Sequence, residues 1–415
     1  MFIYFFILRI ASLFNRKARL LVRGQGSALS LIASKRQAGE RWVWFHAASS
    51  GEFEQGRPLI ERYKVAHPQV RVLLTFFSPS GYEQHKNYQG VDLVTYLPFA
   101  TRRNARRLIE TLRPEMAVFV KYEYWPAYLR QLSRSGVPTY VVCALFRPEQ
   151  AFFCWWGAGY RSLLRYFTRL FVQDQASADL LAQYGIENVT VAGDTRFDRV
   201  SQIADSHLKN AQENITGDSV SSVSDRVAIV ERFAAYGEKV IIAGSTWLPD
   251  EKLLVRYLSE HEGVRLVLVP HETTPKHMNA LFQLLEGRYM LYSEATERNI
   301  QMLQCMVVDE VGMLSELYRY ATVTYVGGGF GVGIHNTLEA AVYSKPVIFG
   351  PHCDKFREAK GLIEAGGGFS ISNYRQLCET LDRLLREPSE AGRNAGNYVR
   401  SELGATNRII AHLSK

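Results

Sequence analysis

The segment WVWFHAASSGEFEQG, residues 42–56, places one carboxylate where it could do chemistry. Its apolar run predicts a buried strand, the small residues predict a tight turn, and Glu52 stands in the first turn of the next helix. Small residues let backbone and substrate approach closely, so Glu52 could act as a general base toward a sugar hydroxyl. A first-turn glutamate is also common because it interacts favourably with the helix dipole. The spacing alone favours that structural role.

A glycine-rich segment, YVGGGFGVGIHNTLEAAVYSKPVIFGPH at residues 325–352, has the order strand, loop, helix and strand. Consecutive glycines permit positive φ and expose backbone N–H groups to an anion, and a helix N-terminus favours phosphate. Asn336 stands near the helix start, and the Glu339 carboxylate could accept hydrogen bonds from a ribose diol. The next strand returns Gly350 and His352 to the same edge. This coincidence favours a nucleotide-sugar site over a plain connection.

Two shorter segments converge on that edge. AGSTWLPDE places Ser245 and Thr246 at a strand end before a helix that starts with proline, which is an anion-binding geometry. LVLVPHETTPKH ends a buried strand with Pro270 and His271. Neither segment alone distinguishes a ligand contact from a structural turn.

The elements that position these residues are short β-branched or aromatic strands alternating with longer helical patterns. This alternation predicts parallel sheets of βαβ units, and 415 residues suit two domains. We therefore expect an α/β protein of two doubly wound, Rossmann-like domains that face each other across a cleft, with ligands beyond the carboxyl ends of the strands. The predicted strands are Trp42–His46, Val72–Phe76, Leu93–Tyr96, Met116–Val120, Thr139–Cys143, Leu170–Gln173, Val189–Val191, Lys239–Ala243, Val264–Val269, Met306–Val308, Thr322–Val326 and Pro346–Phe349.

Composition and motif absences restrict the classes of function. The first βα turn lacks G-x-G-x-x-G, which disfavours an NAD-binding first domain. A net charge of +8 suits acidic small molecules or anionic lipid. We expect no nucleic-acid partner because no arginine-rich tail, zinc signature or aromatic RNA-binding motif occurs. Five scattered cysteines without a C-x-x-C pair favour reduced cytosolic thiols over disulfides or a zinc site.

The N-terminal stretch MFIYFFILRIASLF is apolar but is interrupted by Arg9. A bilayer span needs about twenty apolar residues, so a clean transmembrane helix is not expected. Arg9 and the basic residues after it favour an amphipathic segment that lies on an anionic membrane surface, with packing on the protein's own body as the alternative. The basic residues of this stretch are Arg9, Arg16, Lys17, Arg19 and Arg23.

These residues resemble, in order along nearly the whole chain, the 3-deoxy-D-manno-octulosonic acid (Kdo) transferases of lipopolysaccharide assembly. HAASSGE (46–52) resembles the family's H-x-x-S-x-G-E, and FFSPSGYE (76–83) its T-x-T-P-T-G segment. YLPF (96–99) resembles Y-L-P-Y, YEYWP (122–126) resembles E-T-E-L-W-P, and AGDTRFD (192–198) resembles G-N-L-K-F-D. In the second half, VPHE, DEVGML and HNTLEAA resemble V-P-R-H, D-T-M-G-E-L and H-N-P-L-E-P-A.

The resemblance implies a GT-B enzyme that inverts at the anomeric carbon and needs no metal or other cofactor. Its donor would be CMP-Kdo, its acceptor a lipid A precursor, and its place the cytoplasmic face of the inner membrane, monotopic or peripheral through the N-terminal segment. Glu52 matches the general base, and Lys121 and Arg196 stand at the family's other catalytic positions. Besides Ser245 and Thr246, the donor contacts would be Pro270, His271, Val311, Gly312, Met313, Asn336, Thr337, Leu338 and Glu339.

Four of these positions depart from the family pattern. Lys121 replaces the first glutamate of E-T-E-L-W-P, and a lysine accepts no hydrogen bond. It could pair instead with the Kdo carboxylate or a lipid phosphate. Arg196 replaces a lysine and keeps the charge with different donor geometry. His271 replaces an arginine, and Met313 replaces a glutamate.

The resemblance also gives a meaning to the expected domains. We expect a membrane-associating segment at 1–25, an acceptor-binding domain at 26–200 and a polar linker or surface excursion at 201–235. A CMP-Kdo-binding domain at 236–415 would follow, with the option that its last helix crosses back. The first domain also contains a basic cluster and an aromatic cluster, which could contact a phosphorylated, acylated acceptor. They could equally be a solvated helix face and a patch of the core. The basic cluster is Arg102, Arg103, Arg106 and Arg107, and the aromatic cluster is Phe152, Phe153, Trp155 and Trp156.

Two other functions remain open at this point. One is a different GT-B nucleotide-sugar transferase that acts on a lipid acceptor, for example with a UDP-sugar as donor. The other is a non-catalytic membrane or nucleic-acid binding protein that uses an inactive transferase fold.

Overall fold

The computed structural model describes residues 9–216, 222–237 and 239–414. The chain divides into two compact units, one of Met1–Arg199 with Leu403–Lys415 and the other of Val200–Glu402. Each unit is built on a seven-stranded sheet. All strand pairs in both sheets are parallel, so the predicted α/β class with two Rossmann-like units is confirmed.

The first unit has the strand order β3-β2-β1-β4-β5-β6-β7. Because the order reverses beside β1, the turns after β1 and β4 meet at the switch point, where ligands bind in such sheets. The strands are β1 (Trp42–Ala47), β2 (Arg71–Phe76), β3 (Leu93–Tyr96), β4 (Ala117–Val120), β5 (Thr139–Ala144), β6 (Arg169–Val172) and β7 (Val189–Val191). The helices are α1 (described over 9–14), α2 (Arg16–Lys35), α3 (Ser50–Ala66), α4 (Pro79–His85), α5 (Arg102–Leu112), α6 (Pro126–Arg134), α7 (Ala158–Leu164), α8 (Gln175–Ala182) and α9 (Thr195–Thr216), which runs on into the second unit.

The second unit has the strand order β10-β11-β9-β8-β12-β13-β14. Its strands are β8 (Lys239–Thr246), β9 (Val264–Pro270), β10 (Met290–Leu291), β11 (Cys305–Val307), β12 (Val323–Val326), β13 (Val347–Phe349) and β14 (Gly368–Ser370). Its helices are α10 (Ser222–Ala235), α11 (Leu248–Glu260), α12 (Pro275–Leu285), α13 (Leu314–Leu317), α14 (Leu338–Ala341), α15 (Arg357–Glu364), α16 (Tyr374–Arg386) and α17 (Ser389–Ser401). A last helix, α18 (Ala405–Leu413), belongs to the first unit.

All twelve predicted strands form, whereas β10 and β14 were not predicted. Both missed strands lie at sheet edges and have only two or three residues, which is too short for a periodic pattern to be visible. The polar stretch at 201–235 lies in α9 and α10, with residues 217–221 outside the described part of the chain.

The sheet of the first unit is covered by apolar residues on both faces. Trp44 packs with Phe119 in one buried cluster, and Phe45 packs with Phe53 in the other. Successive strand residues point to opposite faces, so an apolar run such as β1 serves both clusters. Ile409 of α18 belongs to the second cluster, which means that the chain's last helix completes the core of the first unit.

The described part of the N-terminal region carries an apolar surface beside basic residues. In and beside α1, Leu13 is 67% and Phe14 is 86% exposed. α2 begins after Asn15, whose side chain accepts hydrogen bonds from the Lys17 and Ala18 N–H groups. Across the described residues, no helix combines the length and the apolar character that crossing a membrane requires. Residues 1–8 of the expected membrane segment lie outside the description.

One carboxylate holds the start of α18. Asp198 Oδ1 accepts from the Gly404 N–H at 2.7 Å, and Oδ2 accepts from the Thr406 N–H at 2.6 Å. A carboxylate at a helix N-terminus satisfies donors that have no partner within the helix and interacts favourably with the dipole. Asp198 therefore fastens the returning C-terminal segment to the first unit.

We expect Asp198→Ala to loosen α18 selectively. Loss of two charge-assisted hydrogen bonds should cost about 2 kcal/mol locally, which corresponds to roughly thirtyfold faster amide exchange in residues 403–414. Hydrogen exchange followed by mass spectrometry measures this directly. Asp205→Ala, which removes an exposed carboxylate from the same helix, serves as the control. Equal exchange in the two variants would contradict this role of Asp198.

Candidate active site

Glu52 lies where β1 turns into α3, at the switch point of the first sheet. Ser49 caps the helix through its hydroxyl, which accepts from the Glu52 N–H at 3.4 Å. The Glu52 carboxylate reaches back and accepts from the Ala48 N–H at 2.6 Å. These two contacts tie the start of α3 to the turn that precedes it. They hold the carboxylate at the carboxyl edge of the sheet, half-buried.

The surroundings of Glu52 favour its protonated form. Burial raises the pKa of its carboxyl group, and the negative charge of Glu123 raises it further. The Ala48 hydrogen bond and the charges of His46 and Lys121 act in the opposite direction, but the net shift is upward. A carboxylate with a raised pKa is a better proton acceptor than an ordinary surface glutamate.

Near Glu52, the buried His46 forms a cluster with the partly buried Glu123 and Trp125. His46 Nδ1 lies 3.0 Å from the Thr75 carbonyl oxygen and 2.9 Å from the Thr75 hydroxyl oxygen. His46 Nε2 lies 3.0 Å from a Glu123 carboxylate oxygen, to which the Trp125 indole N–H also donates at 2.5 Å. The cluster fixes the position of the Glu123 charge that acts on Glu52.

Sequence reasoning did not select His46 or Glu123 as site residues. The signal was available, because His46 opens HAASSGE and Glu123 is the glutamate kept in YEYWP. His46 lies in β1 and Glu123 follows β4, and these two strands are neighbours in the sheet. The contact between His46 and Glu123 therefore depends on the pairing of strands that are far apart in the sequence.

Lys121 follows β4 directly and adopts a left-handed conformation, with φ of 65°. Its backbone N–H donates to the Val142 carbonyl at 2.8 Å, which anchors the turn to β5. Its ammonium group lies 5.7 Å from the centre of the Tyr122 ring. The lysine therefore brings a positive charge to the same edge as Glu52.

Arg196 is held by a buried carboxylate. Asp194 is 1% exposed and accepts from the Arg196 side chain at 2.8 and 2.9 Å and from its backbone N–H at 2.9 Å. Burial alone would raise the pKa of Asp194, but the charge and hydrogen bonds of Arg196 outweigh burial and lower it. Gln55 of α3 also donates to Asp194 at 3.0 Å, which ties this pair to the helix that carries Glu52.

The Tyr122 hydroxyl is influenced by the charges of both Arg196 and Glu52. Burial raises the pKa of its hydroxyl, the charge of Arg196 lowers it, and the charge of Glu52 raises it. Arg196 and Glu52 therefore both act on one side chain. The three predicted catalytic residues of the first unit thus lie near enough for their charges to act on shared neighbours: Lys121 acts on Glu52, and Glu52 and Arg196 act on Tyr122.

In the second unit, the ends of β8 and β9 meet in a stack of aromatic rings. The His271 N–H donates to the Thr246 carbonyl at 3.0 Å, and Ser245 has a φ of 52°. The His271 ring stacks on Trp247 at 4.9 Å and on His335 at 4.3 Å. Burial, reinforced by the charge of His271, lowers the pKa of His335 to about 4. His335 is therefore neutral at physiological pH.

The predicted glycine loop follows β12 and lies against the ends of two other strands. A side chain at Gly327 would place its Cβ 2.3 Å from the Ser245 carbonyl oxygen, and one at Gly329 would come within 2.6 Å of Gly350. Only glycine permits this approach. The loop therefore stands at the carboxyl edge of the second sheet together with Ser245, as predicted.

The residues after the loop form a short turn of helix. α14 has four residues, and the Asn336 side chain accepts from the Leu338 N–H at 3.1 Å. The Asn336 amide donates to Glu339 at 2.9 Å, so these two predicted donor contacts orient each other. The Thr337 hydroxyl is buried and has no hydrogen-bond partner among the described residues.

The predicted donor contacts in the DEVGML segment differ in their exposure to solvent. Val311 is 81% exposed, whereas Met313 is buried at 4% exposure. Gly312 between them has a φ of 98°, which reverses the chain. Val311 thus projects outward from the turn, and Met313 packs inward just before α13.

Buried acidic residues of α11 support this edge and were not predicted. Asp250 accepts from the Gly328 N–H at 3.0 Å and from the Tyr325 hydroxyl at 2.8 Å, which joins α11 to the glycine loop. Glu251 accepts from the Thr246 hydroxyl at 2.9 Å and lies 2.9 Å from His277. Burial raises the pKa of both carboxyl groups. The sequence WLPDE showed these residues in a first helical turn but not their partners.

Comparisons with known proteins agree on one family. A family model described as "3-Deoxy-D-manno-octulosonic-acid transferase (kdotransferase)" matches residues 22–199. A 3-deoxy-D-manno-octulosonic acid transferase of Chlamydia pneumoniae is 27% identical over 88% of this chain and 83% of its own length. One of Aquifex aeolicus is 25% identical over 84% of this chain and 87% of its own length.

The fold has solved counterparts. The structure of UDP-GlcNAc 2-epimerase from Neisseria meningitidis bound to UDP-GlcNAc superposes with a TM-score of 0.63 at 14% identity. The match covers 90% of this chain and 99% of that one. This likeness supports the two-unit Rossmann-like fold. Over most of its length the chain is similar in sequence to 3-deoxy-D-manno-octulosonic acid transferases, and it is a glycosyltransferase with the GT-B fold.

Proposed function

We propose that the chain transfers Kdo from CMP-Kdo to a hydroxyl group of a lipid A precursor in lipopolysaccharide biosynthesis, with Glu52 as general base. The observation that carries the proposal is the half-buried Glu52 carboxylate at the switch point, with its raised pKa. The named family members support the sugar that is transferred. The donor nucleotide, the acceptor and the base come from the motif resemblance together with this geometry.

In the proposed reaction, Glu52 removes the proton of the acceptor hydroxyl as its oxygen attacks the anomeric carbon of Kdo. The bond from that carbon to the CMP phosphate oxygen breaks, and CMP leaves with the bonding electrons. Attack opposite to the leaving group inverts the anomeric centre. The leaving group is a phosphate, so it needs no general acid of the kind that glycoside hydrolases use.

The cationic groups of the first unit suit the donor's negative charges. Asp194 fixes the Arg196 guanidinium, so the arginine is positioned before substrate binds. In the proposal Arg196 faces the charge that develops on the departing phosphate. Lys121 pairs with the Kdo carboxylate, which gives the lysine a function where the family has a glutamate.

The second unit is proposed to hold the CMP part of the donor. Its glycine loop offers backbone N–H groups to the phosphate, and Glu339 accepts from the ribose hydroxyls. The outward-facing Val311 and the exposed His271 are suited to contact the base and sugar of the nucleotide. The buried Asp250 keeps the loop in place through Gly328.

We also propose that the enzyme works as a peripheral protein at the cytoplasmic face of the inner membrane. The exposed Leu13 and Phe14 side chains would enter the interface of the bilayer. The basic residues of the same region, among them Arg16 and Arg19, are exposed and would attract anionic lipid.

The decisive experiment is a transfer assay with mass spectrometry of the products. The purified chain is incubated with a lipid A precursor and either CMP-Kdo or UDP-GlcNAc. A product heavier than the acceptor by Kdo residues, formed only with CMP-Kdo, supports the proposal. Transfer only from the UDP-sugar would overturn it.

Glu52→Gln should abolish transfer and leave donor binding intact. The amide oxygen can still accept from the Ala48 N–H, so the turn should fold, but the amide cannot remove a proton. We expect kcat to fall by about 10²- to 10⁴-fold, the usual contribution of a general base, with an unchanged Kd for CMP. Glu54→Gln on the same helix is the matched control and should retain activity. Normal turnover of Glu52→Gln would exclude Glu52 as the base.

Replacing Lys121 should move the acid limb of the pH profile. Glu52 acts as a base only when ionised, so activity falls as pH drops through its raised pKa. The Lys121 charge lowers that pKa, so Lys121→Met should raise it and shift the acid limb of kcat/KM to higher pH. The exposed Lys35 in α2 provides a control, Lys35→Met, with no shift expected. A shift to lower pH would contradict the assigned electrostatics.

A further inference from the structure

A groove of about 890 Å³ in the first unit runs along α6 and the start of α5. Its wall carries four arginines, Arg102 and Arg103 from α5 and Arg130 and Arg134 from α6. Its other polar side chains include Thr101, Gln131 and Ser133, and no carboxylate is among the residues that line it. The groove is therefore a concave surface whose charged side chains are all positive.

The four arginines are unpaired, as judged over the described part of the chain. None of them makes a side-chain hydrogen bond or ion pair there, whereas Arg106 on the same helix pairs with Glu110 at 2.7 Å. Like charges gathered in one groove repel each other. An anion in the groove would relieve that repulsion, and the planar guanidinium groups match phosphate oxygens in two-point hydrogen bonds.

The groove is preformed by buried contacts. The Tyr128 hydroxyl of α6 donates to the Pro98 carbonyl at 2.7 Å, which fixes α6 to the segment before α5. The Asn104 amide donates to the Phe99 carbonyl at 3.0 Å, and Thr101 caps α5 by accepting from the Asn104 N–H at 3.1 Å. A ligand that enters the groove therefore meets arginines on helices whose positions are already set.

The groove is connected to the candidate active site through one turn. α6 begins at Pro126, directly after Trp125 and three residues after Glu123, the two residues that form the cluster with His46. Both α5 and α6 start beyond the carboxyl ends of their strands, at the edge of the sheet that carries Glu52. The end of the groove that is lined by Thr101, Arg102 and Pro126 thus lies at the sheet edge that carries Glu52.

We infer that this groove binds a phosphate group of the lipid acceptor and thereby holds the acceptor beside the edge of the sheet that carries Glu52. The inference rests on the proposed function and adds acceptor-recognising residues to it. The inference assigns only part of the basic cluster on α5 to this site, because Arg102 and Arg103 line the groove whereas Arg106 and Arg107 do not. Arg130 and Arg134 join the site from another helix.

The test compares Arg130→Gln/Arg134→Gln with Arg106→Gln/Arg107→Gln, which removes the same charge from outside the groove. Transfer is measured in neutral detergent micelles with a phosphorylated lipid A precursor and with the same precursor after dephosphorylation. We expect the groove variant to raise KM for the phosphorylated acceptor by about tenfold or more, with kcat within about twofold, because binding in ground and transition states is lost equally. With the dephosphorylated acceptor, wild type and both variants should have the same KM.

Three outcomes would overturn the inference. The first is an unchanged KM of the groove variant for the phosphorylated acceptor, and the second is an equal rise in KM for both acceptors. The third is weaker binding of the groove variant to phosphatidylglycerol vesicles with normal KM in micelles, which would assign the arginines to membrane headgroups.

A separate binding measurement keeps the inference distinct from the proposed function. Calorimetric titration of the phosphorylated precursor into each protein, without donor, needs no turnover. If wild type fails to transfer Kdo but binds the phosphorylated precursor more tightly than the groove variant does, the proposed function fails and the groove assignment stands. If wild type transfers Kdo and binds both precursors equally, only the groove assignment fails.

Discussion

Parallel pairing of β1 with both β2 and β4 is the constraint on which the first unit depends. Because all strands run the same way, every turn that follows a strand emerges at one edge of the sheet. The order reverses beside β1, so the helices after β1 and β4 cover opposite faces and leave space between their first turns. Glu52 and Glu123 follow the two strands at that point, and the arginine groove begins at the same edge and runs along α6.

The burial of the Glu52 and Asp194 carboxylates, together with the charges near them, determines whether their pKa values rise or fall. Moving a carboxylate out of water is costly unless hydrogen bonds compensate. Glu52 has one backbone donor and a second carboxylate in its surroundings, so its pKa rises. Asp194 is more deeply buried but has the Arg196 charge in contact, so its pKa falls. One site thus contains a carboxylate suited to accept a proton and another suited to hold a cation in place.

The second unit depends on a different constraint, which is the close packing of a glycine-rich loop against the end of a strand. Close contact between Gly327 and the end of β8 brings the glycine loop to the edge, and Asp250 anchors it through Gly328. Several backbone N–H groups of the loop donate within the protein, which fixes its shape; they are those of Gly327, Gly328, Gly331, Gly333 and His335. The stack of Trp247, His271 and His335 forms one side of the same edge.

The amino-acid sequence by itself determined the strand–helix alternation, since apolar runs and glycine or proline breaks are local properties of the chain. It therefore predicted twelve of the fourteen strands that the described residues form, and it placed Glu52 and the glycine loop just after their strands. Only the tertiary structure decided which of these turns become neighbours, because strand pairing joins residues far apart in the chain. His46 meets Glu123 across 77 residues, and Asp198 holds Gly404 across 206. The arginine groove also depends on contacts between distant parts of the chain. The arginines of α5 were visible as a run in the sequence. Arg130 and Arg134 join them in one groove only because α6 packs beside α5.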